Sequence, residues 1–240
     1  MQSLHPYSLF HLGDAALTIE FGNEINEALN KKVLQLYNTL KQNAQPYILD
    51  LVPAYSSLAV YYDVMALKKN FPKQNAFDSM ADLIEELAGN ATKENRMAGK
   101  LLEVPVCYSE KFSLDMQLLC DEKKLDPQEV IKIHTSITYR VYMLGFLPGF
   151  CYMGSVDEKI RMDRKQEPRM MVPAGSVGIA GEQTGIYPLE SPGGWQIIGR
   201  TPLIIFEKDN EDPALFAAGD EVKFYSISED EFENYQGGRI

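Results

Sequence analysis

The chain has 240 residues, 45% hydrophobic and 24% charged, which excludes a disordered polymer and allows a sizeable core in one large or two small domains. Its net charge of -11, without a Lys/Arg stripe interleaved with aromatics, excludes nucleic acid as a partner, because a polyanion binder needs a basic face to displace counterions. Cys107, Cys120 and Cys151 make no CxxC pair and no zinc spacing, which rules out a disulfide scaffold and fits a reducing, cytoplasmic compartment. The N-terminus lacks a basic region followed by an apolar run. The most apolar stretch, 141–156, is broken by Pro148 and by glycines, far from the roughly 20 residues a bilayer requires, so neither a signal peptide nor a membrane span is expected.

In chain order, residues 14–21 (DAALTIEF) alternate as a strand does. Asn26 then opens a helix running to about 41, with Leu29, Val33, Leu36 and Leu40 on one stripe. Residues 47–52 and 57–62 read as strands joined by a turn at Pro53-Ala54-Tyr55. A second amphipathic helix over 78–87 gathers Met80, Leu83, Ile84 and Leu87. Residues 101–108 return as a strand, which Pro105 assigns to a sheet edge. Two helical stretches follow; the later has Asp126 at the N-cap, Pro127 at the first position and Glu129 at the third.

Near Tyr139 the texture changes. Short β-branched or aromatic runs at 139–144, 177–180, 195–198, 203–206 and 221–227 are separated by glycine and proline, the pattern of a barrel or sandwich. The expected fold is therefore α+β: a small α/β N-terminal domain over 1–105 and an all-β C-terminal domain over 106–240.

Ten of the seventeen glycines fall between Gly145 and Gly199, and between Val172 and Gly199 the only charged residues are Glu182 and Glu190. Such a segment is either the wall of a pocket, where backbone approaches a ligand, or a set of glycine corners in a small barrel. There is no GxxxxGK[ST] phosphate loop, GxSxG elbow, HExxH or EF-hand loop, and the glycines at 175, 178 and 181 follow no βαβ unit. With His5, His11 and His134 alone, no histidine-rich metal site is expected; His134 is either a base or a helix-end packing residue. Arg140, Arg169 and Arg200 border the charge-poor segment, and a guanidinium there suits bidentate grip of carboxylate or phosphate. With Gln183, Thr184 and Tyr187 they are the ligand-binding candidates, for an anionic group. Phe146, Phe150, Pro192 and Trp195, aromatics and a proline on glycine-rich turns, are the interface candidates, with a core role as the alternative. No catalytic residue is singled out.

GFLPGF at 145–150 and VPAGSVGIAGEQTGIYPLESPGGWQIIGRTP at 172–202 resemble the KipI family, which includes the B subunit of bacterial 5-oxoprolinase (PxpB) and is similar to the first subunit of allophanate hydrolase. Gly13-Asp14, Glu20-Phe21-Gly22, VPAYSSLAVYYD at 52–63, VPVCY at 104–108 and AGDEVKF at 218–224 extend the likeness over nearly the whole chain. Two positions depart from the pattern: Cys151 stands where proline is expected, and Glu182 where glycine is usual. The resemblance implies a cyclophilin-like β-barrel of the carboxyltransferase-domain type for the C-terminal half. It further implies a hydrolase role as the B subunit of an ATP-using complex that opens 5-oxoproline to L-glutamate, inactive alone. The partners would be a KipA/PxpC-family subunit and a PxpA-type (LamB/YcsF-family) subunit. The alternatives it carries are inhibition of a sensor histidine kinase and a role like that of the first allophanate hydrolase subunit.

Overall fold

The computed structural model describes residues 7–43, 45–89, 99–236 and 238. Contacts divide the chain into two compact units, Met1–Met97 and Ala98–Ile240.

The first unit holds a four-stranded antiparallel sheet in the order β1-β2-β4-β3, from β1 (Ser8–His11), β2 (Ala16–Glu20), β3 (Ile48–Pro53) and β4 (Ser57–Tyr62). Helices α1 (Glu27–Gln42), α2 (Val64–Asn70) and α3 (Ala76–Gly89) complete it. The Asn26 side chain accepts from the Ala28 and Leu29 amides at 2.8 and 3.2 Å, which satisfies two of the donors a helix start leaves open. Three of the four residues of the expected stripe, Val33, Leu36 and Leu40, are buried with Leu17, Ile19, Leu58 and Val60 of the sheet, while Leu29 is half-buried. Asn30, buried on the same helix, donates to the carbonyls of Ala54 and Tyr55 and so ties α1 to the β3–β4 turn. Strand β1 and helix α2 lie outside the sequence expectation. Both are too short, at four and seven residues, to show a period.

The second unit is a closed seven-stranded barrel in the order β10-β7-β6-β13-β5-β12-β9. Its strands are β5 (Leu101–Cys107), β6 (Thr138–Leu144), β7 (Cys151–Gly154), β9 (Ser176–Ala180), β10 (Gln183–Ile186), β12 (Gln196–Arg200) and β13 (Glu221–Ile227). A two-stranded ribbon of β8 (Arg169–Val172) and β11 (Ser191–Gly193) lies outside the barrel, and helices α4 (Met116–Lys123), α5 (Pro127–Ser136) and α6 (Glu229–Glu233) flank it. Val104, Val106, Val141, Met153, Ile179 and Ile198 fill the interior. The α+β reading holds. Asp126, Pro127 and Glu129 start α5 through a reciprocal capping box, as their order predicts.

Three details differ from expectation. The unit boundary puts the whole of β5 in the barrel, whereas the sequence pattern assigned 101–105 to the first domain. Strand β5 is also not an edge: it pairs in parallel with β13 along seven residues. It meets β12 only through Cys107 and Arg200, which leaves the flank beside Pro105 without a ladder to break. Residues 203–206 form no strand, only a bridge between Phe206 and Ala214, since Pro202 and Pro213 each withhold a donor.

Candidate functional site

The glycine-rich segment builds one side of the barrel. Strands β9 and β10 form a hairpin with Gly181 and Glu182 as its two loop residues, and Gly181 has φ +58°. A two-residue turn with positive φ at its first position only is type II′, which requires glycine at 181 and not at 182. The departure at Glu182 is therefore tolerated by the backbone, and its carboxylate is held by Arg161 at 2.7 Å. The departure at Cys151 falls on the first residue of β7, a strand position that also admits proline.

Gly178 and Gly185 lie directly opposite each other across the hairpin. A side-chain carbon at 178 would sit 3.1 Å from Trp195 Cβ; one at 185 would sit 3.0 Å from the Trp195 ring and 3.1 Å from the Phe150 ring. The hollow that these glycines leave is filled by the chain's own aromatics. Phe150 packs edge-on to Tyr187 and Trp195 at centroid distances of 5.2 and 5.3 Å, over Val172, Ala180 and Ile197. Gly193 in turn makes room for the Tyr187 ring, whose burial pushes its hydroxyl above the usual phenol range.

Beneath them, inside the barrel, His134 is fully buried. Thr184 Oγ1 donates its single proton to the Gly178 carbonyl at 3.0 Å, so it accepts from His134 Nε2 at 3.1 Å, and His134 Nδ1 accepts from the Tyr108 hydroxyl at 2.8 Å. The chain Tyr108–His134–Thr184–Gly178 is satisfied in one direction with a neutral imidazole. Burial holds the His134 pKa down at about 3. His134 thus packs in the last turn of α5, but as a neutral imidazole bonded to Tyr108 and Thr184 and not as the cation against the helix-end carbonyls that its position suggests.

Asp115 organises the ribbon. Its carboxylate accepts two hydrogen bonds from Arg169 at 2.6 and 2.7 Å, one from Lys165 at 3.1 Å and one from the Ile197 amide at 2.7 Å. Burial alone would raise its pKa, but the bonds from Arg169, Ile197 and Lys165 outweigh it and hold the carboxyl below its usual range. Arg169 is thereby neutralised. Arg200 donates through Nε to the Ala174 carbonyl at 2.7 Å, and its guanidinium lies about equally far from the Phe112 and Phe232 rings, at 6.0 and 5.9 Å. Arg140 is half-buried on β6 and shares a cross-strand row with Gly154 and Gln183.

The six ligand candidates are therefore dispersed. Arg140 and Gln183 flank Gly154, Arg169 and Arg200 border the segment 112–115, and Thr184 and Tyr187 are enclosed. Of the interface candidates, Phe150 and Trp195 are core residues in this chain, while Phe146 and Pro192 face outward. Sequence reasoning missed Asp115, Tyr108 and Arg164, the last stacked over the Trp195 ring at 5.8 Å. Asp115 had one available signal, its place in a turn ahead of a helix; the other two had none.

Residues 7–216 match the family model for the carboxyltransferase domain, subdomain C and D. A Bacillus subtilis (strain 168) protein named as the B subunit of 5-oxoprolinase is 41% identical over 232 residues, 96% of this chain and 97% of its own. The protein of the same name from Escherichia coli O157:H7 is 34% identical over 213 residues, 89% of this chain and 93% of its own. The crystal structure of TTHA0988 superposes with a TM-score of 0.77 at 34% identity, covering 89% of this chain, which spans only 40% of the TTHA0988 chain. The chain belongs to the carboxyltransferase subdomain C and D family and, within it, to the group of proteins named as 5-oxoprolinase B subunits.

Proposed function

We propose that this chain is the B subunit of a cytoplasmic, ATP-dependent 5-oxoprolinase that opens 5-oxoproline to L-glutamate together with A- and C-type subunits. The observation that carries this reading is end-to-end similarity, in both directions, to two proteins named as 5-oxoprolinase B subunits. The lactam is a stable amide. Opening it with ATP requires donors for the substrate carboxylate, for phosphate and for a developing oxyanion. Within the glycine-rich unit several charges are already committed: Arg169 and Lys165 to Asp115, Arg161 to Glu182. His134 is buried and neutral. Such internal commitment supports a division of labour in which the companion subunits supply most reacting groups and this chain shapes the assembly. ATP is then a co-substrate of the assembled complex, and Arg169 offers it no free charge.

A strain stripped of its own 5-oxoprolinase, given the cognate A- and C-type genes, should consume 5-oxoproline only when this chain is also expressed. Equal consumption without it would remove the chain from the enzyme.

A further inference from the structure

After β13 the chain returns to the barrel as a strap. Ser228 starts α6 through a reciprocal capping box with Glu231, and no residue of α6 is buried. Tyr235, just past the helix, packs half-buried against the barrel core, and the Gly238 carbonyl accepts from the Ile204 amide at 2.8 Å.

The strap meets the segment that follows β5. The half-buried Phe232 ring lies 4.3 Å from the buried Phe112 ring at an interplanar angle of 35°, and Glu233 accepts from Lys111 Nζ at 2.6 Å. The Arg200 guanidinium faces the same two rings. The ring pair is the stronger hold, because Lys111 and Glu233 are both exposed and an exposed ion pair contributes little.

The segment held in this way carries Asp115. Only Ser113 and Leu114 separate Phe112 from it. The turn between them has little slack: the Phe112 and Ser113 amides both donate to the Ser109 carbonyl at 2.9 Å, and the Ser113 hydroxyl donates to it at 2.8 Å. Asp115 then exchanges bonds with Ile197, its amide donating to the Ile197 carbonyl at 2.8 Å and its carboxylate accepting from the Ile197 amide at 2.7 Å. The same carboxylate clamps Arg169 of β8. A displacement of Phe112 therefore strains the Asp115 end of the turn. The strap is the part of this series most easily released, since a five-residue helix with no buried residue opens at far lower free energy than barrel strands do.

We propose that the strap is a latch on the β8–β11 ribbon. Closed, with Phe232 on Phe112, it fixes the turn 109–115 so that Asp115 clamps Arg169. Drawn away, it lets the turn relax, weakens that clamp and loosens the ribbon. A ligand that captured Phe232 would thus act on the ribbon, 39 to 63 positions earlier in the sequence, without touching it.

The test is hydrogen exchange of the full chain, resolved over strap, ribbon and barrel, with melting of each variant recorded. Phe232→Ala should speed exchange of the Ile197 amide and of the β8 and β11 amides about threefold or more, with β6 and β7 unchanged. Phe232→Tyr should restore wild-type exchange. In a chain that already carries Asp115→Ala, Phe232→Ala should add nothing at the ribbon, because the link is already cut. Phe71→Ala, which removes a partly exposed ring from the first unit, should leave the ribbon as it is. Ribbon exchange unchanged by F232A, with only the strap amides losing protection, would overturn the latch. Equal acceleration in every barrel strand would also overturn it, by making Phe232 a general stabiliser. Additive effects of F232A and D115A at the ribbon would overturn the route through Asp115.

Discussion

Gly178 and Gly185 show what the glycines of this chain accomplish at the scale of single residues. Each removes a side chain where an aromatic ring lies against the sheet, and a methyl group at Gly185 would also sit 2.8 Å from the Cys151 carbonyl oxygen. Gly185→Ala must displace backbone and two rings, and should cost about 1–3 kcal/mol, measured by urea unfolding. A neutral outcome would mean that the aromatic cluster is loosely packed. His134 predicts an acid response. Its imidazole titrates near 6.5 when unfolded and at about 3 when folded, so between those values the unfolded chain binds the extra proton. Stability should be full above about pH 6.5 and decline by about 1.4 kcal/mol per pH unit as pH falls toward 3. His134→Gln should abolish that slope; an unchanged slope would assign it to other groups. The glycine density was visible in the sequence, but its meaning was not. The partners of His134, Tyr108 and Thr184, lie 26 and 50 positions away, and no local pattern connects them.

Among elements, the ones with strong local signals were legible. Helices α1 and α5 announce themselves through Asn26 and through Asp126-Pro127 with Glu129, because capping is decided within four residues. Strands β7, β8, β10 and β11 were not, being three or four residues long and stabilised by register with distant partners. The ribbon depends on Asp115, which is 54 positions from Arg169 and 82 from Ile197. Asp115→Ala leaves Arg169 and Lys165 without their buried counter-ion and the Ile197 amide without an acceptor, at a cost of about 3 kcal/mol. Amides of β8 and β11 should then exchange faster than those of β6 and β13. Uniform protection across the barrel and ribbon would show that Asp115 is not what holds the ribbon. Since its folded pKa is lowered, this contribution is complete above the unfolded value of 3.8 and is lost as pH falls through the folded value.

For the molecule as a whole, the division into an α/β unit and a β-barrel was legible because the periodicity changes, while the boundary was displaced because β5 joins the barrel in parallel with the last strand. A parallel pairing of the first and last barrel strands leaves no mark in either strand's own residues. The candidate site was less legible than the fold. The arginines stand out in the sequence as charges beside an uncharged segment, but their partners, Asp115 for Arg169 and the Ala174 carbonyl for Arg200, cannot be read there. Asp115 is buried in the barrel unit and bonded to Arg169 and Lys165, while the apolar side chains of Phe146, Met170 and Met171 are exposed, which is in keeping with a subunit. The most direct measurement is glutamate formation from 5-oxoproline and ATP by the purified A- and C-type subunits, with and without this chain. The account predicts turnover coupled to ATP hydrolysis only when all three are present, and none from this chain alone. Equal turnover in its absence would contradict it.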